Sequence, residues 1–186
     1  MNSNSKSIIR QVVAIGIGSA LFVALTTVQI PLGFIPNTAL QVRAAVLAFM
    51  AAVFGPVTGL CIGLIGHALG DALFYGSVWW SWVFPDGIFG LIVGLLYKKY
   101  AIEQGGFGVK ALVVFNVTQI LSNAAAWIAA APVLDILIYS EPANKVFVQG
   151  LAAFTANIII VAVLGSILSF GYSKIKTKTS SLSEEN

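Results

Sequence analysis

His67 and Asp71 are the residues of this sequence best suited to chemistry, because they stand four apart inside an apolar, glycine-rich run. That run, GPVTGLCIGLIGHALGDALFYGSVWWSWVFPDG, extends from Gly55 to Gly87 and holds the only histidine of the chain. Residues four apart share a helix face, so the imidazole and the carboxylate can meet. Such a pair can be a hydrogen-bonded structural unit, a ligand contact or gate, or a base with its orienting carboxylate. It can also be part of a divalent-metal site, but that needs further ligands, and a hydrolase needs a nucleophile beside His67. The sequence supplies neither, so no catalytic residue, metal ligand set or cofactor is assigned. HExxH, paired CxxC and GxxxxGK[ST] are all absent, and with them the machinery of zinc proteases, thiol-redox proteins and ATPases.

Other polar groups sit in the same apolar surroundings. Trp79, Trp80 and Trp82 fall within four residues. They read as an aromatic belt at the headgroup level or as the wall of a pocket. Successive helix positions turn by about 100°, so the three cannot all face lipid and at least one points inward, able to stack on a flat ring. Asp86, between Pro85 and Gly87, is placed to satisfy backbone donors freed by a proline kink. Asn116, Gln119 and Asn123 form one polar face that ends near Trp127; such a face is polar glue between helices or a pocket lining. Arg43 either snorkels to headgroups or reaches a ligand.

These residues need a membrane to make sense of their setting. The chain has 186 residues, 58% hydrophobic and 9% charged, with a mean hydropathy of +0.93. A soluble domain of this size carries far more surface charge. Ionisable groups in membrane segments normally face a bundle interior or a cavity. The single Cys61 lies in an apolar run and reads as a small buried hydrophobe. The net charge of +3 forms no basic stripe and excludes no more than a nucleic-acid partner.

The expected fold is an all-α membrane protein of six transmembrane helices. The spans are placed at about 8–30, 40–54, 57–75, 78–97, 109–139 (with Pro132 as a break) and 146–172. A polar tail, 1–7, precedes a single six-helix domain, 8–173, and a solvated, fraying cytoplasmic tail, 174–186, follows. With six spans, Lys6, Arg10, Lys98, Lys99, Lys110, Lys174, Lys176 and Lys178 share one face, against Arg43 and Lys145 on the other. By the positive-inside rule both termini are cytoplasmic. The first span carries two rows of small residues, Ala14–Gly18 and Gly16–Ala20–Ala24, which permit close approach by another helix of this chain or of a partner.

VVAIGIGSALF, IPLGFIPNTALQ, FGPVTGLCIGLIGHALGDALFYGSVWWSWV and the face with Asn116 and Asn123 together resemble a known group. They are similar to the substrate-binding S components of energy-coupling factor (ECF) vitamin importers, in the riboflavin-type or UPF0397 set, from about Val12 to Tyr172. The resemblance implies a subunit of an ABC-type importer that captures a vitamin outside the cell. It works with a transmembrane scaffold subunit and two cytoplasmic ATPase subunits in the bacterial plasma membrane. It also implies scaffold docking through small residues of the first helix, here Ala14, Gly16, Gly18, Ala20 and Ala24. The implied pocket lies under the first loop, in regions matched by Asn37, Gln41, Trp79, Trp80, Asn123 and Trp127. Added to Arg43, His67, Asp71, Asp86 and Gln119 from the residues themselves, these form the expected substrate site. Riboflavin, a thiamin-precursor pyrimidine, a pyridoxine-like vitamer and cobalamin all fit the resemblance. An intramembrane enzyme using His67 and Asp71 is the competing class, and a stand-alone carrier a third, disfavoured because no inverted repeat is evident.

Overall fold

The computed structural model describes residues 3–33, 35 and 38–184. Helix α1 spans Ser3–Ala24, and a short antiparallel hairpin follows, β1 (Gln29–Pro31) and β2 (Ala39–Gln41). Next come α2 (Arg43–Phe54), α3 (Pro56–Phe74) and α4 (Trp80–Leu95). A single helical turn, Tyr97–Tyr100, leads into α5, Val109–Tyr139. The last helix, α6, joins Ala143–Ile160, Val161–Gly165 and Ser166–Glu184. Four of these helices, α1, α3, α5 and α6, are long and apolar enough to cross a membrane; α2 and α4 are shorter and apolar.

Where this departs from the sequence reading, the local chemistry explains it. The first span was expected to run to Ile30, but α1 stops at Ala24. Thr26, Thr27 and Val28 are β-branched and fit extended backbone better than helix. The chain then pairs Gln29 with Gln41, Ile30 with Leu40 and Pro31 with Ala39, a sheet that an all-α reading omits. Pro132 was expected to break the fifth span. Instead α5 is continuous, with a π-helical stretch at Ala124–Ala130 just before the proline. The wider turn gives room where the proline ring would crowd a carbonyl four residues back. The segment from residue 174 was expected to fray, yet its backbone stays helical to Glu184.

Helix α2 is the axis of the bundle. Ala45, Leu47, Ala48 and Ala51 are fully buried and Met50, Ala52 and Val53 nearly so, because α1, α3, α4 and α6 all pack on it. A helix that is apolar all round needs such enclosure. Gly55, at φ +92°, reverses the chain directly into Pro56 at the first turn of α3, a backbone state that glycine adopts freely.

Helices α3 and α4 touch backbone to backbone. A side-chain carbon on Gly59 would collide with the carbonyl of Gly90, and one on Gly90 with that of Gly59. Gly63 meets the Asp86 backbone in the same way, while Gly66 seats Phe22 of α1 and Gly70 seats Thr26 in the turn after it. Close packing of this kind substitutes for the hydrophobic force that lipid cannot supply. Its consequence here is positional, since it brings Asp86 of α4 alongside His67 of α3.

At the opposite end of the bundle Tyr100 is buried and donates its hydroxyl to Val93 O at 2.9 Å. Burial pushes that hydroxyl up to about 12, so it remains a neutral donor that anchors the turn after α4.

Candidate ligand-binding site

The hairpin, the α3–α4 turn and the α5–α6 turn meet at one end of the bundle and surround a cavity of about 550 Å³. Volumes of a few hundred to a thousand cubic ångströms are usual for small-molecule sites. Its wall is formed by Gln29, Gln41 and Thr38 of the hairpin region, Tyr75, Trp79 and Trp82, and Glu141, Lys145 and Gln149 at the start of α6. Arg43, His67, Asp71 and Asp135 supply buried charged or ionisable groups.

The floor is one connected network. His67 Nδ1 lies 2.7 Å from Asp86 Oδ2. A carboxylate only accepts, so this bond assigns the hydrogen to Nδ1. Nε2 is then free to accept from Arg43 Nη2, 3.3 Å away; Asp71 Oδ1 lies 3.4 Å from the same nitrogen. The Arg43 guanidinium also donates to Thr26 Oγ1 at 3.2 Å and, through Nε, to Gln41 Oε1. Its flat face covers the Phe22 ring at 4.7 Å, a cation–π contact. Residues of α1, β2, α2, α3 and α4 are tied together here.

This geometry corrects two expectations. Asp86 does not serve freed backbone donors at the Pro85 kink; it holds the His67 ring. Asp71 is not the main orienter of His67: its second oxygen accepts from the Trp79 backbone N–H at 3.0 Å and fixes the start of α4. The ring nitrogens bond to Arg43 and Asp86, and among the described residues no hydroxyl or thiol is hydrogen-bonded to the ring for a base to activate. Among the described residues no group of three His, Cys, Asp or Glu side chains could hold a metal ion.

A second knot lies in the wall. Asp135 of α5, 2% exposed, accepts from Trp79 Nε1 at 2.8 Å and Trp82 Nε1 at 2.7 Å, and from the Ser81 hydroxyl. Trp79 also stacks on Tyr139, with ring centres 4.2 Å apart. Trp79 and Trp82 therefore turn their ring nitrogens to the cavity wall, where the spacing required at least one of the three to point inward. Asp135 itself escaped the sequence reading; the available signal was an acidic residue stranded in an otherwise apolar segment.

The remaining expected site residues divide. Gln41, Arg43, His67, Asp71 and Trp79 line the cavity, while Asp86 and Trp127 line a much smaller one, about 20 Å³, which Gln41 and Arg43 also border. Trp127 Nε1 has no hydrogen-bond partner among the described residues. Trp80 is 46% exposed and packs its ring beside Phe84 on the outer surface. Gln119 and Asn123 are fully buried and bond to each other and to Ile158 O of α6, the arrangement of interhelical glue. Asn37 lies outside the described residues. On α1, Ala14 and Gly18 are buried against this chain, Gly18 close to Ile62 and Met50. Gly16, Ala20 and Ala24 face outward.

Comparison with known proteins bears on this architecture. The sequence profile described as "ECF-type riboflavin transporter, S component" matches residues 6–174. A UPF0397 protein of Exiguobacterium sp. is 51% identical over 177 residues, 95% of this chain and 96% of that one. UPF0397 proteins of Lactobacillus acidophilus and Clostridium perfringens are 47% and 49% identical, each over 100% of both chains. No solved structure matches. With a match covering nearly its whole length, the chain belongs to the ECF-type riboflavin transporter S-component family, whose members are substrate-binding subunits of membrane transporters and not enzymes.

Proposed function

We propose that this chain captures a vitamin or vitamin precursor at the extracellular face of the bacterial plasma membrane. It delivers that molecule to an ECF scaffold subunit and two ATPase subunits for uptake driven by ATP hydrolysis. In this reading all six helices lie in the membrane with both termini cytoplasmic. Arg10, Lys98, Lys99, Lys110, Lys174 and Lys176 mark the inner end, and the cavity opens at the other. The positive-inside rule supports that orientation. The outward row Gly16–Ala20–Ala24 is the part of α1 offered to the scaffold, with Ala14 and Gly18 shaping its inner side.

The observation that carries the reading is the cavity of about 550 Å³ among Gln41, Arg43, Asp71 and Trp79. Its volume supports a ligand of one to three rings, such as a pyrimidine, a pyridoxine-like vitamer or riboflavin. A corrin as large as cobalamin is disfavoured on size.

The test is a vitamin panel presented to the purified chain, with binding followed by calorimetry and by tryptophan fluorescence. One compound should bind tightly, and Trp79→Ala should weaken it by about tenfold or more, while Trp80→Ala should leave it unchanged. If no compound binds either the lone chain or the chain co-expressed with its partner subunits, the reading fails.

A further inference from the structure

The cavity wall carries a charge imbalance that bears on what it holds. Three carboxylates line it, Asp71, Asp135 and Glu141, against two cationic side chains, Arg43 and Lys145. The cationic groups are already engaged. Lys145 Nζ pairs with Glu141 at 2.7 Å, and Arg43 is spread over Gln41, Thr26 and His67. Asp71 accepts from the Trp79 amide and lies 3.4 Å from His67 Nε2, beside the Arg43 guanidinium that bonds the same nitrogen. Asp135 differs, since no ion-pair partner approaches it among the described residues. Its hydrogen-bond partners are two indoles and a serine hydroxyl, all of them neutral.

A carboxylate almost fully removed from water normally has a cation or a metal beside it. Neutral donors fix the orientation of Asp135 without balancing its charge. Oδ1 already accepts from Trp79 and Ser81, while Oδ2 accepts from Trp82 and keeps acceptor capacity at the cavity wall. The surrounding rings of Trp79, Trp82 and Tyr75 are the kind of surface that also attracts a cation through its π-face. An apolar or anionic ligand would leave this charge unanswered.

We propose that the substrate carries a positive charge, as an amine or a cationic ring nitrogen, and that Asp135 is the group that answers it. This rests on the substrate-binding reading above and adds the chemical class of the ligand. Trp79 and Trp82 act as positioning residues that hold the carboxylate towards the cavity. Arg43 and the His67 network form the opposite, hydrogen-bonding side.

The experiment uses the full-length purified chain with four probes: thiamin and pyridoxamine, which carry a cationic nitrogen at neutral pH, and riboflavin and pyridoxine, which do not. Small molecules retained through purification are also released and sorted by cation exchange at pH 7. The expected result is a preference of about tenfold or more for a cationic probe over the neutral ones, or a retained compound that binds the cation exchanger. Asp135→Asn should abolish that preference while Asp135→Glu keeps part of it. Should Asp135→Asn fail to fold, the comparison of pyridoxamine with pyridoxine on the unaltered chain carries the test alone. Equal or tighter binding of riboflavin or pyridoxine, or a retained compound that is neutral or anionic, overturns the proposal and leaves the substrate-binding function standing. The absence of any bound or retained small molecule, with or without the partner subunits, overturns both.

Discussion

His67 shows how much a residue's meaning depends on what is folded against it. In the sequence its neighbour is Asp71, one turn away; in the fold its shorter bond is to Asp86, on another helix. That bond predicts an asymmetry between two substitutions. Asp86→Asn keeps an acceptor for the ring N–H and should shift thermal unfolding in detergent only slightly. Asp86→Ala leaves the buried ring N–H without an acceptor and should destabilise the protein by about 1–3 kcal/mol. Equal effects of the two would mean that the contact contributes nothing. The inward turn of the tryptophans was legible because adjacent helix positions cannot share a face. Asp135 was not, because its donors at Trp79, Ser81 and Trp82 stand 53 to 56 residues away in the chain. Only the packing of α5 on α4 brings them together.

Among the elements, the glycine-lined crossing of α3 and α4 sets the positions of everything in the site. Gly59→Ala forces a carbon into the Gly90 carbonyl and should cost roughly 1–3 kcal/mol despite alanine's better helix propensity. Gly16→Ala, where an added carbon meets nothing, should leave stability unchanged or slightly raised. Thermal unfolding of the two purified variants decides the matter, and a destabilising Gly16→Ala with a neutral Gly59→Ala would reverse the assignment of the two faces. Helix positions were readable from apolar run length and from proline and glycine punctuation. The hairpin was hidden because Thr26 to Ile30 holds no proline or glycine to end the helix, and β-branched residues alone are a weak strand signal. The uninterrupted path of α5 through Pro132 was hidden for a related reason: a π-helical stretch absorbs the proline, and no residue pattern announces one.

For the molecule as a whole, the proposed orientation places the cavity and the basic residues on opposite sides of the membrane. Ser77, exposed in the α3–α4 turn, and Gln104, exposed between α4 and α5, report those two sides. In a chain with Cys61→Ser, a membrane-impermeant maleimide added to intact cells should label Ser77→Cys and spare Gln104→Cys until the membrane is opened. The reverse pattern would invert the topology and put the cavity inside. One feature of α1 then acquires a larger role. Its inner face sends Phe22 beneath the Arg43 guanidinium, and Thr26, in the turn that follows the helix, accepts a hydrogen bond from the same group, while its outer face presents Gly16, Ala20 and Ala24. The Phe22 contact with the cavity floor and the outward Gly16–Ala20–Ala24 row are thus carried by one helix. On the proposed docking, a displacement of Arg43 when the cavity fills would pass through Phe22 to the face that meets the scaffold, so that a loaded chain would differ from an empty one at a surface remote from the ligand.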